Sequence, residues 1–181
     1  MDQDLELINQ FKAGDLGGFE MLVKKYQNRA INIAYALNHN VANAQDIAQE
    51  VFLKIYNNIG SFRGQSKFSS WFYRIVVNTS YDFLRRNRNK NISIDDESCP
   101  EIADSRKCED SLAKELVKEV LEKVPFEYRS AIVLKEIEGL SYQEIADTLK
   151  ISIGTVESRI FRARKMMKDI LVKKGVFANE L

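Results

Sequence analysis

Two short runs between Leu140 and Lys165 each open on a serine that can cap a helix and carry an apolar stripe at helical spacing. Together they read as a helix-turn-helix. Ser141 caps the first run, and Glu144 three residues on closes a capping box. Ile145, Ala146 and Leu149 form its buried stripe. The turn falls at Lys150–Ile151, and Ser152 offers a second cap. Val156, Ile160, Ala163 and Met167 then repeat on one face. Ser158, Arg162 and Lys165 take the opposite face, bordered by Thr155 and Phe161. Such a face fits a DNA major groove. The same spacing also suits an ordinary helical hairpin with a solvated charged side.

Composition narrows the field. The 181 residues allow one large domain or two small ones, and 45% hydrophobic content supports packed cores. Two prolines and eight glycines suit a helical chain. The net charge of +1 means that a nucleic-acid role must rest on local patches compensated elsewhere. The acidic opening Met1-Asp2-Gln3-Asp4 has no apolar run behind it, and no stretch reaches the roughly 18 apolar residues of a membrane span. The expectation is a cytoplasmic protein. Cys99 and Cys108, with His39 far away, do not make a zinc set. Free thiols, no metal and no cofactor are expected.

Along the chain, Leu5, Ile8 and Phe11 mark a first helix. Phe19, Leu22, Val23, Tyr26, Ala30, Ile33 and Leu37 mark a second, broken at Asn38-His39-Asn40. A third, from about Ala44 to Asn58, carries Asp46, Gln49, Glu50 and Leu53 as a compact outer patch. That patch can dock a protein bearing arginines, or be a plain solvated face. The turn-rich NIGSFRGQS leads into a fourth helix, near Lys67 to Arg88. Beside its core stripe run Trp71, Arg74, Asn78, Tyr81 and Arg85, a line of aromatic, basic and amide groups suited to unpaired bases and phosphates. A buried tryptophan beside a basic helix end would look similar. Residues 91–111 are acidic and aperiodic, the pattern of a flexible linker. Leu112, Leu116, Val120 and Val124 open a second domain, followed by a helix after Pro125, a C-cap at Gly139 and the helix-turn-helix.

The segments AQDIAQEVFLKIY, SFRGQSKFSSWFYRIVVNTSYDFLRR and LSYQEIADTLKISIGTVESRIFRARK, in that order, resemble three functional segments of the extracytoplasmic-function group of bacterial RNA polymerase sigma factors. The resemblance implies an all-α chain of two small domains. Residues 1–90 would be a region 2-like domain, 91–111 the linker and 112–181 a region 4-like domain. It implies that Asp46, Gln49, Glu50 and Leu53 meet core polymerase. It implies that Phe62, Arg63, Trp71, Arg74, Asn78, Tyr81 and Arg85 handle the −10 element. Thr155, Glu157, Ser158, Arg159, Phe161, Arg162 and Lys165 would read the −35 element of promoter DNA. An anti-sigma partner masking both domains is also implied, a membrane-bound one being one form of it. The family often has Lys or Arg where this chain has Glu157, and a carboxylate there can accept from cytosine N4.

Other classes fit less well. A DNA-binding regulator that never meets polymerase has no use for the aromatic-basic helix. An enzyme lacks a converging acid–base pair, and no GxxxxGK[ST] loop is present to couple hydrolysis to strand opening. A protein that only holds another factor inactive would not need a complete −35 module.

Overall fold

The computed structural model describes residues 3–90 and 108–176. The acidic stretch with Cys99, and the last five residues, lie outside the described residues. Eight α-helices account for nearly all of the rest: α1 (Gln3–Lys12), α2 (Leu16–Asn38), α3 (Val41–Asn58), α4 (Phe68–Lys90), α5 (Cys108–Glu122), α6 (Phe126–Glu136), α7 (Tyr142–Leu149) and α8 (Ile153–Lys173). A 3-10 turn, Ile59–Ser61, follows α3. α5 begins at Cys108, so the end of the stretch read as linker is helical.

The helix boundaries follow from local chemistry. Asp15 caps α2 by accepting from the Gly17 amide at 2.9 Å, and Asn40 caps α3 by accepting from that of Asn43. His39 between them takes the left-handed conformation, φ 59°, which ends α2. The Ser141–Glu144 capping box is formed at α7, and Ser152 caps α8. Lys150 turns the chain between them at φ 57°.

The first half, α1 to α4, packs around Leu22, Tyr26, Ile33, Ile47, Val51, Ile55, Phe68 and Phe72. Removing a fully buried ring such as Phe72 would cost about 3–5 kcal/mol. Gly18 admits α1, because a Cβ there would meet the Leu7 carbonyl oxygen at 2.4 Å. Asp4, buried in α1, accepts from Lys25 Nζ at 2.5 Å and Tyr26 Oη at 2.6 Å, which ties α1 to α2. The second half, α5 to α8, packs around Val120, Val124, Leu134, Ile145, Val156 and Ile160.

The halves also pack on each other. α7 lies against α4, and α5 and α6 lie against α2. α4 is therefore buried on a wider arc than its own stripe of Phe68, Phe72, Ile75, Thr79 and Phe83 demands. Tyr73, Val76, Val77 and Ser80 are buried as well. Among the described residues no helix is long and apolar enough to cross a membrane.

Candidate polymerase and nucleic-acid interfaces

The four residues of the α3 patch do not share one environment. Asp46 and Gln49 are exposed, and Leu53 is 64% exposed. Glu50 instead bridges to Lys54 at 2.8 Å and to Arg86 of α4 at 2.7 Å. Burial alone would raise its pKa, but these two cations outweigh burial and hold the carboxyl below its ordinary value. Glu50 thus braces α3 against α4 while Asp46 and Gln49 face outward. Beside them runs a groove of about 630 Å³ lined by Phe19, Val23, Ile31, Phe52 and Tyr56. The sequence reading missed this apolar floor, although Tyr56 continues the 46–49–53 spacing by one more turn.

The loop before α4 and the face of α4 form the second surface. Phe62 is only 8% exposed, and its ring lies 5.4 Å from that of Trp71 and 5.9 Å from that of Phe68. Trp71, half-buried above it, lines a cleft of about 450 Å³ with Lys54, Asn58, Ser61, Asn78 and Thr79. Lys54 Nζ also donates to Thr79 Oγ1 at 3.0 Å, which holds a cation at the cleft wall. Asn78 is exposed there, and Arg63 is exposed on the loop. This cleft brings an indole, amides and an ammonium together, a set that can stack a base and hydrogen-bond its edge.

The other members of the α4 stripe are engaged elsewhere. Arg74 Nε donates to the carbonyl of Thr148, at the end of α7, at 3.2 Å. The Tyr81 ring lies 5.1 Å from Phe126 of α6. Arg85 pairs with Asp82 at 3.5 Å. Further links cross between the halves. Lys67 pairs with Glu144 at 3.0 Å, and Tyr73 Oη donates to Glu138 at 2.7 Å. Arg129, buried in α6, donates to the Leu37 carbonyl at 2.8 Å and to His39 Nε2 at 2.7 Å. The Ser141 backbone amide, with Lys67 and the Ser141 hydroxyl, lowers the pKa of Glu144 to about 2.

The third surface is the outer face of α8. Thr155 and Ser158 are held locally: the Thr155 hydroxyl contacts that of Ser152 at 2.8 Å, and Ser158 Oγ donates to the Thr155 carbonyl at 2.9 Å. Phe161 is 70% exposed, and Glu157, Arg162 and Lys165 are exposed. Arg159 is half-buried. Arg162 Nη1 donates to Tyr128 Oη at 3.1 Å, with the guanidinium 5.9 Å from the centre of that ring. Tyr128 lies on α6, out of reach of any local sequence pattern.

Residues 22–90 match the Sigma-70 region 2 family, and residues 114–167 match the Sigma-70 region 4 family. The chain is 35% identical to the RNA polymerase sigma-H factor of Pseudomonas aeruginosa over 182 residues, covering 94% of each chain. It is 36% identical to the ECF RNA polymerase sigma-E factor of Haemophilus influenzae, over 92% of this chain and 94% of that one. The solved structure of CnrH in complex with the cytosolic domain of CnrY superposes with a TM-score of 0.74 at 26% identity, covering 95% of this chain and 99% of that one. Sigma factor RpoE of Bartonella quintana, solved with the anti-sigma factor NepR, gives 0.69 at 26% identity, over 84% and 96%. Both family segments occur in their proper order, and relatives match almost end to end: the chain belongs to the extracytoplasmic-function group of RNA polymerase sigma factors, and it directs promoter-specific transcription initiation.

Proposed function

We propose a division of labour among the three surfaces. Asp46, Gln49 and Leu53, with the groove beside them, dock core polymerase. The outer face of α8 reads the −35 element as duplex. The cleft under Trp71 and Asn78 captures bases of the opened −10 element. The observation that carries this reading is the cleft itself, where the indole, Asn78 and Lys54 converge beside the loop that precedes α4.

Strand opening in this scheme needs no chemistry from the chain, which acts as a binding subunit in the cytoplasm. Unstacking a base-pair step costs about 1.4 kcal/mol. A base stacked on an aromatic side chain returns about 1–3 kcal/mol. Capture of flipped bases, with polymerase holding the bubble, balances opening.

The packed halves add a requirement. The −35 and −10 elements are centred about 25 base pairs apart, roughly 85 Å of duplex at 3.4 Å per step. Arg74 and Thr148 are in hydrogen-bond contact. The two halves must therefore part before both elements are gripped, and Arg74 is released from Thr148 only then. Two related sigma factors were solved as complexes with another protein, one of them named an anti-sigma factor. By extension, a partner that binds both halves of this chain would keep it closed. Run-off transcription with reconstituted core polymerase tests the scheme. Start sites should lie at a fixed distance from paired −35 and −10 elements, and initiation independent of the −10 sequence would refute the assignment of the cleft.

A further inference from the structure

α1 lies outside the segment that matches region 2, which begins at residue 22. Even so, it forms one wall of the loop that carries Phe62. Leu5, Ile8, Asn9 and Lys12 face Gly60 to Gly64 across a cavity of about 750 Å³. Leu5 Cδ2 stands 3.5 Å from where a Cβ of Gly64 would lie, and Gly64 takes φ +69° to turn the loop there. At the last position of α1, Lys12 Nζ donates to the Phe62 carbonyl at 2.6 Å. An ammonium-to-carbonyl bond is among the stronger hydrogen bonds, and it fixes the carbonyl at one height. The Phe62 amide is already committed to Ile59, at 3.1 Å. The peptide planes on both sides of Phe62 are thus held, and its ring is fixed under the indole of Trp71.

We infer that Lys12 is a positioning residue for promoter opening. Its ammonium sets the loop, the loop sets Phe62, and Phe62 sets the tilt of Trp71 at the cleft. This rests on the assignment of Trp71 as the stacking partner of an opened −10 base. Lys12 is not needed for the fold of α1, which is anchored by buried Ile8, by Asp4 and by the close approach at Gly18. Lys12 itself is exposed.

The test compares Lys12→Met, Lys12→Arg and Trp71→Ala in reconstituted holoenzyme. Lys12→Met keeps the stem and removes the donor. It should leave core binding and closed-complex affinity unchanged and lower the open-complex fraction by about tenfold, the scale of one lost charge-assisted bond. Trp71 is the only tryptophan in the chain, so the emission of the free chain, measured without core polymerase, reports the surroundings of the indole: it should shift in Lys12→Met and return in Lys12→Arg. If Trp71→Ala is defective in opening while Lys12→Met opens normally with unshifted emission, the inference is overturned and the −10 assignment stands. If Trp71→Ala itself opens the promoter normally, both fall together.

Discussion

Arg74 and Thr148 are joined across the two halves, with the guanidinium Nε 3.2 Å from the main-chain oxygen, and Arg74 also sits on the α4 face assigned to DNA. One side chain cannot serve both ends at once. In the proposed scheme the closed form therefore competes with the −10 element for Arg74. The Tyr73–Glu138 bond, 2.7 Å, supports closure without touching the proposed DNA surface. Tyr73→Phe or Glu138→Gln should raise the parted population by about tenfold, since a hydrogen bond to a charged group contributes about 1.5–3 kcal/mol. Small-angle scattering of the free chain should show a larger radius of gyration, and single-stranded −10 DNA should bind more tightly. An unchanged radius would place the closing energy elsewhere.

Acid should loosen the same closure. Burial, then the charges of Arg129 on α6 and Lys118 on α5, lower the pKa of His39 from 6.5 to about 4. Once the halves part, the ring meets water and titrates near its ordinary value. The parted form takes up a proton between pH 6.5 and 4 that the closed form refuses. Closure is therefore strongest above pH 6.5 and weakens as pH falls through that window. Glu144 acts lower down and only in part. Its pKa is lowered first by the Ser141 amide within the α7 cap, which persists when the halves part. Only the share due to Lys67 stabilises the closed form above 4.5 and is lost as pH falls toward about 2. His39→Asn, which tolerates the left-handed backbone, should flatten the upper transition in scattering measured against pH and leave the lower one.

On the α8 face proposed to read the −35 element, Tyr128 holds Arg162. Arg162→Ala should weaken binding to a −35 duplex by about 1–3 kcal/mol if the guanidinium reads a base. Tyr128→Phe keeps the ring and loses the hydroxyl, and should cost about 0.5–1.5 kcal/mol. The double variant should be no weaker than Arg162→Ala alone, measured by fluorescence anisotropy on matched and scrambled duplexes. Additive losses would show that Tyr128 contacts DNA independently.

The α3 patch separates docking from bracing. Asp46→Arg should reduce co-purification with core polymerase by about a hundredfold, as for a reversed interface charge, with the melting temperature unchanged. Glu50→Arg places a third cation between Lys54 and Arg86 and should lower the melting temperature as well. Equal thermal effects from both changes would remove the distinction.

The helices and the α7–α8 turn were legible because their signals are local. Ser141, Glu144 and Ser152 act within three residues of themselves, and Val156 to Met167 repeat at one period. Gly139, read as the cap of α6, does take the left-handed conformation that ends a helix, φ 67°, but it lies two residues beyond the cap at Ile137. That Phe62 lies in the turn before α4 was legible, but its burial was not, because a loop residue has no period to betray it. What the sequence hid were pairings across long separations. Lys12 with Phe62, Glu50 with Arg86, Tyr128 with Arg162 and Arg129 with His39 each join residues 34 to 90 positions apart. On α4, Val76 and Ser80 are buried while Ile75 and Phe83 of the expected stripe are only half-buried, and Tyr73 reaches Glu138 of the second half, a contact that no periodicity within one helix announces.

The latch between the halves takes much of its grip on main-chain atoms. Arg74 holds the carbonyl of Thr148, and Arg129 holds that of Leu37. Carbonyls survive any substitution at their own residue. Changes of the Thr148 or Leu37 side chain therefore leave these two contacts in place, and the packing of the halves tolerates drift there more readily than at Glu144, whose own carboxylate makes the link to Lys67.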